Sequence, residues 1–571
     1  MMMKAVRSSF ICPQCRLVRP RTNIPSRLSL FRNNTAARLY SSESTTTTPY
    51  QSQRNPNAPT RNINIKHIRQ NPELYEQNCL ERNYKVQATY PARVNELFEQ
   101  LKARQKEGRS LRERSNELRR EIVNPATIQH EGDNTTNTNS TTTTQAMTDK
   151  PQLRDVKTMT KEELLEEARQ LKQSLSTLVE DESRIEAEME DLAAAIPNLT
   201  SDETPRGDEA LVLSYINEPH PLLVEPKGPA SSSSSSSDRI WRSHVHIGTE
   251  LGILDFASAG KTSGWGWYFL LDEAAQLEQA LISFALASVT RVAGWRQGSP
   301  PSVVYSHMAD ACGFQPRDQN GETQTYALSQ GVKKDDKKPE RSLAATAEIP
   351  FAGMRTGTSF DVSELPLKVV GASRCFRAEA GARGKRTQGL YRVHEFTKVE
   401  MFAWTRPDED STTDIFDEMV DIQTDILSSL GLHCRVLEMP SADLGASAVR
   451  KIDIETFFPS RVGLGVEGEA ESGWGEVTSA SICRDYQTRR LDTRITAGKG
   501  VKKEDLGGGY PWTVNGTALA VPRVLAAILE NGWDEETMSV VIPECLRPWM
   551  DGAERIGMRR RVKAGVGLGR D

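Results

Sequence analysis

The sequence contains no long hydrophobic run, few cysteines and neither of the common nucleotide-binding fingerprints. No uninterrupted apolar segment approaches the roughly 20 residues that a membrane-spanning helix needs, so a transmembrane protein is excluded. The eight cysteines are scattered through 571 residues, which excludes a disulfide-stapled scaffold and favours a reducing compartment. No GxxxxGK[ST] loop is present, and no Rossmann glycine fingerprint follows a predicted strand. The length nevertheless predicts several domains with a sizeable core.

The first 42 residues contain no acidic residue. They contain eight lysines and arginines together with several serines, which is the composition of a mitochondrial transit peptide. The step Arg38-Leu39-Tyr40 before Ser41 resembles the sites at which matrix peptidases cleave such leaders. We therefore predict that residues 1–60 are a transit peptide and disordered leader, and that the protein is located in the mitochondrial matrix. A basic disordered tail is the alternative.

Three further stretches are too polar to pack into a core. Residues 124–158 include a Thr/Asn run, residues 225–238 include seven consecutive serines, and residues 331–341 are largely Lys and Asp. Such segments bury too little apolar area to offset the entropy of ordering, so we interpret them as inserts or linkers. The predicted regions after the leader are an arm over 61–200, a Ser-rich linker over 201–243, a globular region over 244–555 and a basic tail over 556–571.

Two segments of the arm have helical hydrophobic patterns. In the second segment an apolar residue recurs at every seventh position, at Leu164, Leu171, Leu178, Ile185 and Leu192. This is the pattern of a coiled coil, and residues 94–122 follow a related spacing. Two such helices on either side of the Thr/Asn insert predict an antiparallel hairpin about 45 Å long, at 1.5 Å per residue.

The two predicted helices differ in charge. Residues 91–123 carry nine Lys or Arg and six Glu, whereas residues 161–191 carry four basic and eleven acidic residues. Pairing of complementary charges across the hairpin is one interpretation. The other is that the first helix faces nucleic-acid phosphates, and charge alone leaves the two nearly even. The basic residues concerned are Arg104, Lys106, Arg109, Arg112, Arg114, Arg119 and Arg120.

The densest concentration of reactive side chains lies in residues 371–402. Two apolar-flanked runs surround a loop rich in Gly, Lys and Arg at 381–389, which predicts a strand–loop–strand hairpin. Because side chains alternate along a strand, Arg377 and Glu379 share a face of the first run. On the second run the residues that share a face are Arg392, His394, Phe396, Lys398 and Glu400. Guanidinium forks beside an aromatic ring suit a nucleotide better than they suit a solvent-facing strand with ion pairs.

This segment resembles motif 2 of the class II aminoacyl-tRNA synthetases in its seryl form, through FRAEAG and then GLYRVHEF and KVE. Four further landmarks of the family appear in order. They are motif 1 at about 267–301, the serine-pocket segment at 343–350, the approach to motif 3 at 476–490 and motif 3 at 514–530. The resemblance extends over about 63–552. It implies an α+β protein, with a coiled-coil hairpin in front of an antiparallel sheet flanked by helices.

The resemblance also implies an activity and its partners. Seryl-tRNA synthetases activate L-serine with ATP and Mg²⁺, transfer it to tRNA-Ser and form homodimers through motif 1. By the position of the arm, Arg109, Arg112, Arg119 and Arg120 are expected to contact tRNA. The rival interpretation is a synthetase-like paralogue that acts only as a binding or structural module, but such a paralogue would be expected to lose Arg377, Glu400 or Arg523. A class II enzyme for threonine is disfavoured because no Cys/His cluster for a substrate-binding metal is present.

Roles at the ATP side follow residue by residue from the resemblance. Arg377 is expected to bridge the α-phosphate and the serine carboxylate, and Arg377 and Arg523 are the expected catalytic residues. Glu379 is expected to contact the adenine amino group, Phe396 to stack on the adenine and Arg392 to hold the γ-phosphate. The expected ATP contacts are Arg377, Glu379, Arg392, Val393, Phe396, Glu476, Val477, Thr478, Ser479 and Arg523.

The same resemblance implies a serine pocket and a magnesium site. Expected serine contacts are Thr346, Glu348 and Glu400 at the ammonium, Asn515 and Thr517 near the hydroxyl, and Arg377 at the carboxylate. Glu476 and Ser479 match the family's Mg²⁺ contacts, and a carboxylate together with substrate phosphates is a usual way to hold this ion. No general base is required, because the attacking carboxylate is already ionised.

Overall fold

The computed structural model describes residues 58–123, 155–224, 242–314, 325–329, 339–379, 388–462, 473–497, 506 and 508–557. The predicted leader up to residue 57, most of each predicted insert, the tip of the motif 2 loop and the basic tail from residue 558 lie outside these ranges. Within the described ranges, no helix combines the length and the apolar character needed to cross a membrane.

Two long helices near the amino terminus are followed by a mixture of helices and strands. The helices are α1 (Ile65–Gln70), α2 (Pro72–Glu81), α3 (Tyr90–Val123), α4 (Lys161–Ala195), α5 (Pro221–Val224), α6 (His244–Leu251), α7 (Phe256–Thr262), α8 (Asp272–Arg291), α9 (Ser306–Ala311), α10 (Glu348–Gly353), α11 (Glu409–Ser429), α12 (Tyr486–Leu491) and α13 (Val521–Asn531). The strands are β1 (Leu211–Ile216), β2 (Leu254–Asp255), β3 (Phe269–Leu270), β4 (Trp295–Gln297), β5 (Val303–Tyr305), β6 (Ala327–Leu328), β7 (Arg341–Leu343), β8 (Ser359–Asp361), β9 (Leu367–Phe376), β10 (Glu395–Thr405), β11 (Cys434–Glu438), β12 (Arg450–Phe457), β13 (Trp474–Arg484), β14 (Arg494–Thr496), β15 (Trp512–Ala520), β16 (Trp533–Asp534), β17 (Ser539–Val541) and β18 (Arg555–Gly557).

The arm is a hairpin of α3 and α4, which confirms the prediction from the heptad pattern. The helices have 34 and 35 residues and reach about 50 Å at 1.5 Å per residue. Helix α4 begins with a capping box, in which the Thr160 side chain accepts from the N–H of Glu163 and the Glu163 carboxylate accepts from the N–H of Thr160. At Gly108 a Cβ would lie 2.9 Å from Leu178 Cδ2, so glycine allows the close approach of the two helices there.

The end of the Thr/Asn insert is part of the folded arm. The composition of residues 124–158 predicts an insert that cannot pack, and residues 155–158 belong to this stretch. In the structure Val156–Thr158 form a 3₁₀ turn, and Val156 is buried in a cluster with Leu118 and Leu164. A single valine after a polar run carries no periodicity, so this contact could not be read from the pattern.

Buried polar contacts join the base of the arm to the globular domain. Arg82 is 0 % exposed and donates to the carbonyls of Asn198 and Gly445. The side-chain amide of Asn198 in turn donates to the carbonyls of Ser447 and Cys483, both at 3.0 Å. The arm is therefore tied through its base to β13, one of the strands that carry predicted site residues.

The globular domain is built on an eight-stranded sheet with the order β1-β11-β12-β13-β15-β10-β9-β4. All neighbours are antiparallel except β4, which runs parallel to β9. Helices α8, α11 and α13 contribute to one continuous core with the sheet, through residues such as Leu277, Met419 and Leu525. This architecture confirms the predicted antiparallel sheet flanked by helices.

The sheet begins earlier in the chain than the sequence predicted. Strand β1 lies inside the predicted Ser-rich linker, yet it pairs antiparallel with β11. It is an edge strand with apolar side chains turned to solvent, and Tyr215 is 61 % exposed. The strand has only six residues, so its apolar run is too short to distinguish it from the polar residues that surround it in the sequence.

Candidate active site

An open cleft lies where β9, β10, β13 and β15 run side by side and α13 begins. The residues predicted for ATP or serine that line it are Arg377, Glu379, Arg392, Val393, Phe396, Glu476, Val477, Thr478, Ser479, Thr517 and Arg523. Thr346, Glu348, Glu400 and Asn515 do not line this cleft. The first three of these are buried in the adjoining core.

Two irregularities in strand pairing bring polar residues to one face of the sheet. Val477 on β13 has no partner opposite it on β12. An extra residue of this kind shifts the alternation of side chains by one, so Glu476 and Ser479 share a face despite their odd spacing. Ala518 is a similar extra residue in β15 opposite β10, next to Thr517. Neither shift has a signal in the sequence.

Arg377 follows directly after β9 and lies over the ring of Phe396 on β10. Its guanidinium carbon is 5.1 Å from the ring centre, a favourable position because the face of the ring is negative. Its backbone N–H donates to the carbonyl of His394 at 2.9 Å, which holds the two strand ends together. Its guanidinium donates no hydrogen bond to the described residues, so the fork of donors is available to a ligand.

Arg523, in the first turn of α13, is bound to Glu476 of β13. Its Nη1 lies 3.0 Å from the Glu476 carboxylate and donates to the Glu476 carbonyl at 2.8 Å, while its Nε donates to the carbonyl of Tyr391 at 3.2 Å. Burial acts to raise the pKa of Glu476, but the positive charges of Arg523 and Lys451 lower it to about 2. With its side chain 40 % exposed, Glu476 is an anion that faces the cleft.

Glu379 and Arg392 form an ion pair across the open end of motif 2. Glu379 has a φ of 43°, in the left-handed region that is strained for a residue with a Cβ. The family resemblance implies that Glu379 contacts the adenine and that Arg392 contacts the γ-phosphate. In the structure the two side chains bind each other, so those contacts to ATP require this ion pair to open.

Glu348 and Thr346 lie at the start of α10 and are buried. The Gln487 amide on α12 donates to the Glu348 carboxylate at 2.6 Å, and the Glu348 N–H donates to the Thr346 hydroxyl at 3.3 Å. Burial, followed by the negative charge of Glu400, raises the pKa of Glu348 to about 8. A cationic ligand next to this carboxyl would favour its ionised form.

Glu400 on β10 is 0 % exposed and forms an ion pair with Lys398, two residues earlier on the same face. The Thr517 hydroxyl donates to Glu400 Oε2 at 3.3 Å. Glu400 Oε1 is buried and has no hydrogen-bond partner among the described residues. A buried carboxylate oxygen without a partner is costly, so it marks a position where a ligand donor would be stabilised.

Asn515 lies two residues before Thr517 on β15 and opposite Ser481 of β13. Its amide oxygen accepts a weak hydrogen bond from the Cys483 thiol at 3.5 Å. Residues two apart on a regular strand share a face, so Asn515 and Thr517 point to the same side of the sheet. Asn515 is thus close to the predicted hydroxyl site without lining the cleft.

Two contacts of the buried carboxylates were missed at the level of the sequence. Lys398 pairs with Glu400, and Gln487 binds Glu348. The alternation along motif 2 places Lys398 on the same face as Glu400, so this ion pair could have been predicted from the sequence. Gln487 is distant along the chain from Glu348 and had no local signal.

The arm carries a separate candidate surface for nucleic acid. Arg109, Arg119 and Arg120 are exposed on α3 and make no ion pair within the part of the chain that the structure describes. Arg112 pairs with Glu182 at 3.2 Å. Arg114 is buried in the hairpin, where its Nε lies 2.8 Å from Glu167. Internal pairing therefore accounts for Arg112 and Arg114 but not for the three exposed arginines.

The region that contains motifs 2 and 3 matches a known family model. Residues 327–532 match the tRNA synthetase class II core domain (G, H, P, S and T). Together with the antiparallel sheet and the motifs on its neighbouring strands, this match defines the globular domain as that of a class II aminoacyl-tRNA synthetase.

Similar proteins narrow this class. The mitochondrial serine–tRNA ligase of Saccharomyces cerevisiae is 39 % identical over 376 residues, which cover 66 % of this chain and 75 % of that protein. The mitochondrial enzyme of Schizosaccharomyces pombe is 34 % identical over 490 residues, with coverage of 86 % and 88 %. The solved seryl-tRNA synthetase of Pyrococcus horikoshii, complexed with ATP, has a TM-score of 0.67 at 28 % identity and covers 87 % of this chain and 99 % of that chain. The chain belongs to the serine–tRNA ligase family.

Proposed function

We propose that the cleft binds ATP, that the adjoining buried pocket binds L-serine, and that the protein converts both to seryl-adenylate before serine is transferred to tRNA-Ser. The observation that carries this proposal is the convergence of Arg377, Arg392 and Arg523 on one cleft. Behind them lies Glu400, a buried carboxylate with an unpaired oxygen. Guanidinium forks suit a polyphosphate, and a buried carboxylate suits the ammonium of an amino acid.

At the ATP side, Phe396 supplies an aromatic ring on which the adenine stacks. Glu379 accepts from the adenine amino group, and Arg392 holds the γ-phosphate once the two have released each other. Arg523 takes the other side of the nucleotide. Val393, Val477, Thr478 and Ser479 complete the wall of the cleft.

The reaction is an in-line displacement. A serine carboxylate oxygen attacks the α-phosphorus, a new O–P bond forms, and the bond to the β-phosphate oxygen breaks so that pyrophosphate leaves with the electron pair. Arg377 donates to both the carboxylate and the α-phosphate, which neutralises the charge that develops on the phosphate. In the second step the terminal ribose hydroxyl of tRNA attacks the serine carbonyl carbon and an ester bond forms. The bond from that carbon to the phosphate oxygen breaks, AMP leaves with the electron pair, and the hydroxyl proton passes to the departing phosphate.

Specificity for serine follows from the buried polar groups. The ammonium binds at Glu400 and Glu348, next to Thr346. The side-chain hydroxyl lies near Thr517 and Asn515. Alanine is rejected because it would leave the buried groups that contact the hydroxyl without partners.

Magnesium is assigned to Glu476 and Ser479. The residues fit this ion, since an anionic carboxylate and a hydroxyl share one face of β13 beside the cleft. In the described ranges, no group of three His, Cys, Asp or Glu side chains is placed to hold a metal. The phosphates of ATP therefore have to complete the coordination, which is usual for Mg²⁺. When bound, the ion neutralises phosphate charge.

A homodimer through motif 1 is part of the proposal. Motif 1 consists of α8 and β4, and large apolar side chains are exposed on either side of it. Phe269 and Leu271 before α8 are 43 % and 41 % exposed, and Val303 on β5 is 43 % exposed. Large apolar side chains that remain exposed are often covered in protein–protein interfaces.

Mitochondrial localisation has two supports, and we propose the matrix as the compartment. The first 42 residues carry eight basic and no acidic residues. The relatives from Saccharomyces cerevisiae and Schizosaccharomyces pombe are named mitochondrial. A seryl-tRNA synthetase of this kind serves translation in the matrix.

The test is ATP–pyrophosphate exchange with each of the twenty amino acids in turn. We expect exchange with serine and at least about 100-fold less with alanine and threonine. A protein that binds ATP but exchanges with no amino acid would instead be a synthetase-like module. Exchange with threonine in preference to serine would contradict the assigned pocket.

Replacing Glu348 by glutamine is expected to stabilise the free protein while it impairs serine binding. The pKa of Glu348 is raised to about 8, so between pH 4.5 and pH 8 the folded state binds about one more proton than the unfolded state. The free energy of unfolding of the parent therefore falls as the pH rises towards 8, and the variant lacks this loss. Between pH 6 and pH 8 the advantage of Glu348→Gln should grow by about 2 kcal/mol.

Denaturant unfolding at several pH values measures this effect, and serine KM is measured in parallel. Glu186→Gln, at an exposed carboxylate of α4, is the matched control and should show no such pH-dependent gain. An advantage of Glu348→Gln that does not change between pH 6 and pH 8 would contradict a raised pKa.

A further inference from the structure

A buried histidine that has no part in the proposed reaction binds the backbone of motif 2 just before its second strand, where the chain re-enters the cleft. His244 is the first residue of α6 and is 1 % exposed. Its Nε2 accepts the backbone N–H of Leu390 at 3.0 Å. The ring proton of a neutral imidazole must then be on Nδ1, which donates to Glu530 at 2.8 Å. Both ring nitrogens are thus committed to defined partners.

Glu530 connects this histidine to the motif 3 helix. It lies on α13 and is 1 % exposed. Its Oε1 also accepts from the backbone N–H of His244 at 3.1 Å and from the hydroxyl of Tyr391 at 2.9 Å, and its Oε2 accepts from the N–H of Ser460 at 3.3 Å. Burial acts to raise the pKa of Glu530, but the contacts with His244 lower it. The carboxylate is therefore an anion satisfied from three segments of the chain.

The turn that carries Leu390 and Tyr391 is seated directly on the imidazole. Gly389 has a φ of 69°, and a Cβ there would lie 2.2 Å from His244 Nε2, so a side chain at this position has no room. The rings of His244 and Tyr391 meet edge to face with centres 4.7 Å apart.

Both ends of this network reach the proposed ATP site. Leu390 and Tyr391 line the cleft and immediately precede Arg392. The carbonyl of Tyr391 accepts from Arg523 Nε at 3.2 Å. The hydrogen bonds of His244 therefore fix the position of the backbone at Leu390 and Tyr391. Arg392 projects from the end of this segment, and Arg523 is hydrogen-bonded to it.

We propose that His244 is a positioning residue for the nucleotide, acting through Glu530 and the Gly389–Tyr391 turn on Arg392 and Arg523. The inference rests on the proposed binding of ATP in the cleft. The contacts of Glu348 and Glu400 involve other residues, so loss of the histidine affects the nucleotide side and spares serine.

The test compares His244→Leu, which keeps the volume but no polar atom, with His244→Gln, which keeps an acceptor and a donor. Equilibrium binding of Mg²⁺-ATP is measured by calorimetry, and KM for ATP and for serine by pyrophosphate exchange. We expect His244→Leu to weaken ATP binding and raise KM for ATP about tenfold with serine KM changed less than about twofold, and His244→Gln to restore most of the loss. His246→Gln, at an exposed position of the same helix, is the control and should match the parent.

The outcomes separate this inference from the proposed function. If the parental protein binds ATP but shows no serine-dependent exchange, the proposed function is contradicted. The ATP affinities of the variants would still test whether His244 positions the nucleotide. Unchanged ATP affinity in folded His244→Leu overturns the inference. Equal losses for ATP and serine without rescue by glutamine also overturn it, because they indicate a purely structural role. If His244→Leu fails to fold, the inference is tested with His244→Gln and Tyr391→Phe instead. Weaker ATP binding in Tyr391→Phe supports the inference. Parental ATP affinity in both variants overturns it.

Discussion

Arg377→Ala is expected to abolish serine-dependent pyrophosphate exchange, with kcat/KM lowered about 1,000-fold or more. The guanidinium lies over Phe396 with no hydrogen bond to the described residues, so its donors are available for the two reacting groups. Its loss removes both the alignment of the serine carboxylate and the neutralisation of charge on the α-phosphate. Arg377→Lys should recover little, because an ammonium cannot supply two parallel donors to two groups.

Arg374→Ala is the matched control for this prediction. Arg374 lies three residues earlier at the end of β9, outside the cleft, where it pairs with Glu278 at 3.5 Å and Glu395 at 3.7 Å. It should retain near-parental exchange. Circular dichroism and thermal unfolding establish that both variants fold. A well-folded Arg377→Ala protein with near-parental exchange would remove Arg377 from the reaction centre.

The elements that repeat along the sequence were predictable from it. The seven-residue recurrence in α4 predicted the hairpin because each buried position of a coiled coil is set by neighbours in the same helix. Motif 2 predicted β9 and β10 because alternation along one strand is also a local property. Where packing depends on a distant segment, as for Val156 or for strand β1, no local pattern carried the information.

The candidate site also contains features that were predictable from the sequence and features that were not. The resemblance named eleven of the residues that line the cleft, and alternation placed Phe396 and Glu400 on one face. The ion pair between Glu379 and Arg392 and the bond from Gln487 to Glu348 join residues that no periodicity relates. Arg114 was grouped with the candidate phosphate contacts, because only the packed hairpin shows that it lies between the helices against Glu167.

The second large expected effect is on tRNA binding, when the exposed arginines of the arm are replaced. Replacing Arg109, Arg119 and Arg120 together by alanine is expected to raise KM for tRNA about tenfold or more and to flatten its salt dependence. Each lost phosphate contact lowers the log–log salt slope by about one unit, because fewer counterions are released on binding. Pyrophosphate exchange needs no tRNA and should be unchanged. Arg112, which is paired with Glu182, is left in place so that the hairpin keeps its internal ion pair.

A control of equal charge separates specific contacts from net charge. Arg169, Lys172 and Arg184 are exposed on α4, and their replacement by alanine removes the same three positive charges from the other helix of the arm. We expect this variant to keep nearly the parental KM for tRNA and salt slope, since general attraction to tRNA is weak beyond the Debye length of about 8 Å at physiological salt. If both triple variants weaken tRNA binding equally, the arm acts only through its overall charge. If neither does, the α3 arginines have no role in binding tRNA, and the charge difference between the helices serves the stability of the hairpin alone.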